Sequence, residues 1–517
     1  MSTNKVWNGV WLLFIAGLLG KVISAFYRVP LQNLTGDTGF YIYQQIYPLL
    51  GTATILALYG FPSAITQFYA EHPREQQNRL LHWKILTVLV TFSFIILGLL
   101  YWLSPVFSNW MKDETLTTVM RQSVWVFLFV PITALLRGLF QVNERFKYFA
   151  GSQVIEQIGR ATIIIITATL IWYGALNLSS IGLGAALGSM IGLLLAAFFL
   201  LLNRREIIIA KGNDTTSTIT YRQITSSIIG SGLIISLNHM LLLLLQMADA
   251  FTVVPGLLKM GISLSEAMEL KGIVDRGQPL LQLVTITGSS IVIALVPSLT
   301  THHLLKERTK TIQTIKRAIH YCLYISIGAT AGLIVLMPEI NELLFQDRQG
   351  VTPLRMLSLS LLFSPVIIVL AQVLQGFGYR KMIAIIFFVG LWLKVMLNYW
   401  LTPYLATTGN ALATVLTLFL IVMWLFYLVY RLLPGERPIR FSLKWVSVLF
   451  SVIIMITFLL LLKWMDITAY IDNRFLLFLY VMINVGIGAF LYGLSLYKWN
   501  VLSKEDMKQV IGKGKER

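Results

Sequence analysis

The chain has 517 residues, of which 56% are hydrophobic and 12% charged, with a mean hydropathy of +0.74. A soluble protein carries about a quarter charged residues; half that density leaves too little polar surface to wrap several water-soluble domains, so the apolar surface must face lipid. Lys and Arg number 41 against 23 Asp and Glu, a net charge of +18, and in a membrane protein it is the placement of that surplus that informs.

A bilayer core takes roughly 20 apolar residues per helix. Segments of that length, bounded by charge, Pro, Gly or polar clusters, run over 7–27, 42–66, 83–103, 119–141, 150–173, 180–202, 225–248, 278–298, 318–338, 354–377, 382–402, 408–430, 444–463 and 474–497. The first reads as a span and not as a cleaved leader, because Lys21 interrupts it and no small-residue cleavage site follows. The pattern predicts an all-α polytopic membrane protein of 14 transmembrane helices. Twenty-seven of the Lys and Arg residues fall in the N-terminus, in every second loop and in the tail, against ten on the opposite side. Basic loops stay in the cytoplasm, so both termini are expected there, as an even number of spans requires.

Matching positions recur along the chain. Pro62-Ser63 pairs with Pro297-Ser298, Pro131 with Pro365, Gln141 with Gln375 and Arg160 with Lys394, at separations that agree to within one residue. The Gly184-Ala-Ala-Leu-Gly188 run resembles Gly409-Asn-Ala-Leu-Ala413, and Arg28-Val-Pro30 resembles Val253-Val-Pro255, both at a slightly shorter separation. A six-helix repeat restores the starting side of the membrane, so the two halves are parallel repeats about an axis along the membrane normal. The expected organisation is an N-lobe over 1–202, a cytoplasmic linker over 203–224, a C-lobe over 225–430, two extra C-terminal helices over 431–497 and a basic cytoplasmic tail over 498–517. Such a pair of lobes is an alternating-access transporter with its cavity at the lobe interface.

Charged residues within the spans are costly in hydrocarbon and should face a cavity or a partner. Lys21 lies about two-thirds through the first span, too deep to reach headgroups with ease, and is expected to enter the cavity. Arg28 closes the same helix on the same face, where a headgroup and a cavity ligand explain it equally. Arg137 either enters the cavity or meets Glu156 from the neighbouring helix. Glu156 and Arg160 stand four residues apart, acid first, the favourable order for a structural ion pair. Lys394 has no acid near it in sequence, and with Asn398 one turn on it presents donors expected to face the cavity. Asp275-Arg276, with Lys259, Glu266, Glu269 and Lys271, reads on spacing alone as a solvated cluster in the longest outer loop, about 249–277.

Four bases thus share the spans with one clear carboxylate, a balance suited to an anionic substrate and hostile to a cationic drug. Gly184, Gly188 and Gly192 have the small-xxx-small spacing of close helix packing. His302-His303 lies in a basic loop and reads as a solvated pair, Cys322 as a packed thiol, and no metal or disulfide site is expected. No phosphate-binding loop of the Walker type is present, so ATP hydrolysis by this chain is not expected.

The stretches Gly20-Lys-Val-Ile-Ser-Ala-Phe-Tyr-Arg-Val-Pro-Leu31, Gly60-Phe-Pro-Ser-Ala-Ile-Thr-Gln67, Leu139-Phe-Gln141, Gln153-Val-Ile-Glu-Gln-Ile158 and Lys394-Val-Met-Leu-Asn398 resemble the polysaccharide-transport branch of the multidrug/oligosaccharidyl-lipid/polysaccharide (MOP) exporter superfamily. Within it they are most similar to the stage V sporulation protein B and MurJ-like lipid-linked oligosaccharide flippases. The resemblance spans the first twelve helices. It implies essential bases in the central cavity, here Lys21, Arg28 and Arg276, and a groove for the lipid tail beside the last two helices. Two positions depart from the better-known branch: a lysine stands at position 21 where an arginine is usual, and no arginine lies between Gln45 and Gly60.

The function that the resemblance implies is that of a flippase of the bacterial plasma membrane. It would carry an undecaprenyl-pyrophosphate-linked oligosaccharide or peptidoglycan precursor from inner to outer leaflet. No covalent bond changes, so no enzyme activity and no cofactor are expected; a coupling ion, Na+ or H+, stays open. The expected partners are the lipid-linked glycan, membrane lipids and cell-envelope synthesis enzymes, with no nucleic acid. The alternative is a cation-coupled multidrug antiporter of the same superfamily, which would need more cavity carboxylates than Glu156.

Overall fold

A computed structural model describes residues 3–76, 78–206, 219–282, 308–432, 443–465 and 473–501. Most of the 278–298 span, Pro297-Ser298, His302-His303, much of the 203–224 linker and nearly all of the basic tail lie outside the described residues. Within them the regular structure is helical throughout.

Eleven described helices are long and apolar enough to cross a membrane. Two of these stretches, Trp11–Glu71 and Arg380–Leu432, each cover two of the expected spans. The joins are sharp. In α1 (Thr3–Ile55) the turn falls at Gly36, with φ 70 and ψ −176, a conformation essentially confined to glycine. A π-helical turn, Leu56–Gly60, then leads into α2 (Phe61–Glu71).

Next come α3 (Arg79–Trp110), α4 (Leu116–Ser123), α5 (Val130–Val142), α6 (Phe146–Trp172) and α7 (Ser180–Leu202). Asn78 starts α3 by accepting from the amides of Leu80 at 3.0 Å and Leu81 at 3.3 Å, satisfying donors that a helix start leaves unpaired. In α7 the glycine spacing does what it predicts. A Cβ on Gly192 would sit 2.6 Å from the Glu156 carbonyl oxygen, and one on Gly188 2.9 Å from that of Arg160, so only bare glycine backbone lets α7 reach α6.

The expected 225–248 span is interrupted. It is built from α8 (Tyr221–Ile224), a second π turn (Thr225–Gly230), α9 (Ser231–His239) and α10 (Leu241–Leu258), with a break at Met240. Thr220 opens α8 through a reciprocal capping box with Gln223. The outer loop expected over 249–277 is largely helical instead: α10 runs on to Leu258, and Ser263 caps α11 (Leu264–Asp275).

The remaining helices are α12 (Arg308–Phe345), α13 (Val351–Ser358), α14 (Ser364–Gly376), α15 (Arg380–Leu432), α16 (Leu443–Trp464) and α17 (Arg474–Lys498). In α15 the bend falls at Ala406, at φ 50 and ψ −136, where a side chain is strained.

The described helices form two compact units. One holds α1–α11 and the first part of α15. The other holds α12–α14, the rest of α15, α16 and α17. In the second, α16 and α17 pack on each other and on α12. Lys463 of α16 pairs with the buried Glu339 of α12 at 2.8 Å, and the Tyr492 hydroxyl donates to the Tyr324 carbonyl at 2.8 Å. Cys322 is fully buried there.

Candidate functional site

The first unit gathers every expected site residue. Bases and acids that are distant in sequence are brought to neighbouring helix faces, and most of the bases are neutralised there.

Glu156 of α6 holds two of them. It accepts from Arg160 at 2.7 Å, one turn on, and from Arg137 of α5 at 2.8 Å. Arg160 also donates to Thr54 Oγ1 at 2.6 Å. Arg137 donates to Ser152 Oγ at 3.0 Å and to the Ala57 carbonyl at 3.3 Å, a carbonyl within the π turn, where the regular ladder is broken. The expected Glu156–Arg160 pair is thus a trio, and of the two fates open to Arg137 the structure takes the meeting with Glu156. One carboxylate against two guanidiniums leaves this cluster one positive charge in surplus.

Lys394 departs from its expected cavity exposure. It is fully buried, pairs with Asp249 at 2.9 Å and donates to the Asn410 carbonyl at 2.9 Å and Thr414 Oγ1 at 2.6 Å. Asn398, also fully buried, turns with it: its amide donates to Asp249 Oδ1 and Thr252 Oγ1, both at 2.8 Å. Asp249 sits near the middle of α10, inside the helix and not at the span end where its position in sequence placed it. Only folding reveals that Lys394 has an acid.

The cluster before the eighth expected span divides: Lys259, Glu266 and Glu269 are exposed, as expected, while Lys271, Asp275 and Arg276 are buried. Lys271 and Asp275 pair at 2.5 Å, and both are buried. Burial pushes the Asp275 carboxyl above its ordinary value, against the downward pull of Lys271. Arg276 is fully buried and grips Asp37 with two nitrogens, Nε at 2.7 Å and Nη2. Asp37 follows the Gly36 turn and also accepts from Gln32 at 3.0 Å, so this pairing ties α11 to the bend of α1.

Arg28 is different. It is fully buried, and none of its three guanidinium nitrogens has a hydrogen-bond partner among the described residues. No carboxylate pairs with it there; it lies over the Tyr47 ring at 4.3 Å, with Tyr43 at 5.9 Å. The Tyr43 hydroxyl in turn bonds to that of Tyr27 at 2.5 Å. Buried cations are normally paired, and stacking on tyrosine offsets only part of the desolvation. Lys21, two turns before it on α1, is half-buried, and its charge is felt at His239 at the end of α9.

The residues sequence reasoning passed over are Asp37, Tyr47 and His239; for Asp249 it gives only a span-end acid. The run Tyr41-Ile-Tyr-Gln-Gln-Ile-Tyr47 carried a signal, since three tyrosines and two glutamines inside an apolar span are out of place in hydrocarbon.

The family described as "Polysaccharide biosynthesis protein" matches residues 6–303. The chain belongs to that family. It is 36% identical over 420 residues to "Uncharacterized membrane protein YabM" of Bacillus subtilis, covering 80% of this chain and 78% of that one. It is 23% identical over 455 residues to "Lipid II flippase MurJ" of the same organism, covering 83% of each. Among solved structures, "Lipid II flippase MurJ, inward closed conformation" superposes with a TM-score of 0.69 at 15% identity, over 94% of this chain and 97% of that one. This Polysaccharide biosynthesis family member is thus a multi-pass bacterial membrane protein with a MurJ-like fold.

Proposed function

We propose that this family member is a flippase that moves an undecaprenyl-pyrophosphate-linked glycan from the inner to the outer leaflet by alternating access between two six-helix lobes. The observation that carries the reading is Arg28: a fully buried guanidinium with no acid and no hydrogen-bond partner among the described residues. A charge in that condition costs several kcal/mol, and an anionic ligand removes the cost on binding. Lys21 on the same helix supplies a second donor, and Arg276 a third once the Asp37 pairing opens. The similarity to the lipid II flippase of B. subtilis supports the same substrate class.

The work is physical: glycan and pyrophosphate cross shielded from hydrocarbon while the polyprenyl tail stays in lipid beside α16 and α17. No bond is made or broken. An inside-negative potential favours outward movement of each negative charge by about 2.3 kcal/mol per 100 mV. A cation-coupled antiporter of the same superfamily is less well supported, because Glu156 and Asp249 are each held by a basic partner and have no charge to spare for a cationic drug. Envelope-synthesis enzymes are the proposed partners on either side.

The test is a leaflet-accessibility assay in proteoliposomes with a fluorescent lipid-linked disaccharide. Wild-type protein should expose the labelled headgroup to an external quencher within minutes, and Arg28→Ala should stay at the protein-free rate. Equal rates for the two proteins overturn the assignment.

A further inference from the structure

The stretch from α8 through α10 runs from Tyr221 to Leu258, and His239 stands near its middle, at the break before Met240. Yet His239 is exposed. His239 lies inside the expected 225–248 span, where an imidazole facing lipid would strand two polar nitrogens; its exposure is therefore assigned to a water-accessible space. Its neighbours agree. The His239 ring stacks on Tyr59 of the π turn, centroids 4.5 Å apart and planes 15° from parallel. The Lys21 ammonium acts on it electrostatically. The Gln153 amide of α6 faces the Tyr59 hydroxyl, and Gln153 and Gln157 pack against α1 at Gly20, where a Cβ would lie 3.7 and 3.4 Å from them.

A flat aromatic pair, two amides and one ammonium form a recognisable chemical set. Aromatic faces accept the C–H face of a pyranose ring, amides can both donate to and accept from its hydroxyls, and an ammonium holds a phosphate oxygen as a point charge. A cationic drug finds no carboxylate in this set, and a bare lipid tail has no use for the amides.

We infer that Tyr59, His239 and Gln153 form the subsite for the first sugar of the lipid-linked substrate, with Lys21 on the adjoining phosphate. The inference rests on the flippase reading and names the part of the substrate that these side chains select. His239 acts here through its ring face and rim, not by carrying a proton.

The experiment measures affinity for two probes on the purified full-length protein in lipid nanodiscs: undecaprenyl pyrophosphate, and the same lipid carrying N-acetylglucosamine. His239→Ala should weaken the sugar-bearing probe about 3- to 10-fold, the scale of one lost ring contact, and leave the bare pyrophosphate within about twofold. His239→Phe, which keeps a ring, should retain most of the affinity. Gln153→Ala, on another helix, carries the same selective expectation, so instability of one variant leaves the test standing. Lys21→Ala should weaken both probes alike. Equal effects of His239→Ala on the two probes, no effect on either, or a His239→Phe loss as large as that of alanine overturns the subsite. Wild-type protein that binds neither probe overturns the flippase reading itself.

Discussion

At the scale of single residues, the buried charges divide into those that hold the protein together and one that does not. Arg28→Met should raise the melting temperature in detergent by several degrees, because it removes a desolvated, unneutralised guanidinium worth several kcal/mol, while transport is lost. Most core substitutions destabilise, so gain of stability with loss of activity marks a binding residue; a lower melting temperature would show that the tyrosines offset the whole cost of burial.

Glu156→Gln should do the opposite. It strands two guanidiniums at once and should cost about 3–5 kcal/mol, seen as loss of monodisperse protein. Adding Arg160→Gln should recover only part, since Arg137 stays charged, and full recovery should require a neutral residue at position 137 as well. Normal protein levels in Glu156→Gln with transport abolished would instead make Glu156 a coupling carboxylate.

The i,i+4 pair was legible in the sequence because helix geometry alone sets its distance. The partners of Lys394 and Arg276 were not: Asp249 and Asp37 reach them only when separate helices pack, and no periodicity records which faces meet. For the same reason Asp275-Arg276 looked solvated when read as a string of charges, although both residues are buried.

At the scale of elements, hydropathy located the spans because lipid imposes one simple demand on length and polarity, and every described crossing helix overlaps at least one expected span. What hydropathy could not give were the interior irregularities: the two π turns, the break at Met240 and the bends at Gly36 and Ala406. These depend on which carbonyls find side-chain donors and which residues tolerate positive φ. The two bends make opposite predictions. Gly36→Ala puts a Cβ into a glycine-only conformation and should lower stability by roughly 1–3 kcal/mol. Ala406→Gly relieves a comparable strain and should be neutral or stabilising, by up to about 1 kcal/mol. Thermal melts of the two purified variants check both, and a stable Gly36→Ala protein would mean that the α1 turn relaxes freely.

At the scale of the whole molecule, the proposal of two parallel lobes with both termini in the cytoplasm rests on the basic loops. Trp110, Trp172 and Trp464, all exposed, end α3, α6 and α16; aromatic belts form at both interfaces, so the basic loops alone carry the orientation. Reporter fusions after Lys515 and within the 203–222 loop should report the same side. Opposite sides would require one span to be removed from the count and the repeat to be redrawn.

The one cysteine of the chain, Cys322, is fully buried. The natural protein is therefore already a nearly silent background for thiol labelling. A cysteine introduced at any exposed position will report its own accessibility to a membrane-impermeant maleimide without first rebuilding the core around Cys322. Side-by-side labelling from the two faces of the membrane could then follow alternating access in the unmodified fold, one position at a time.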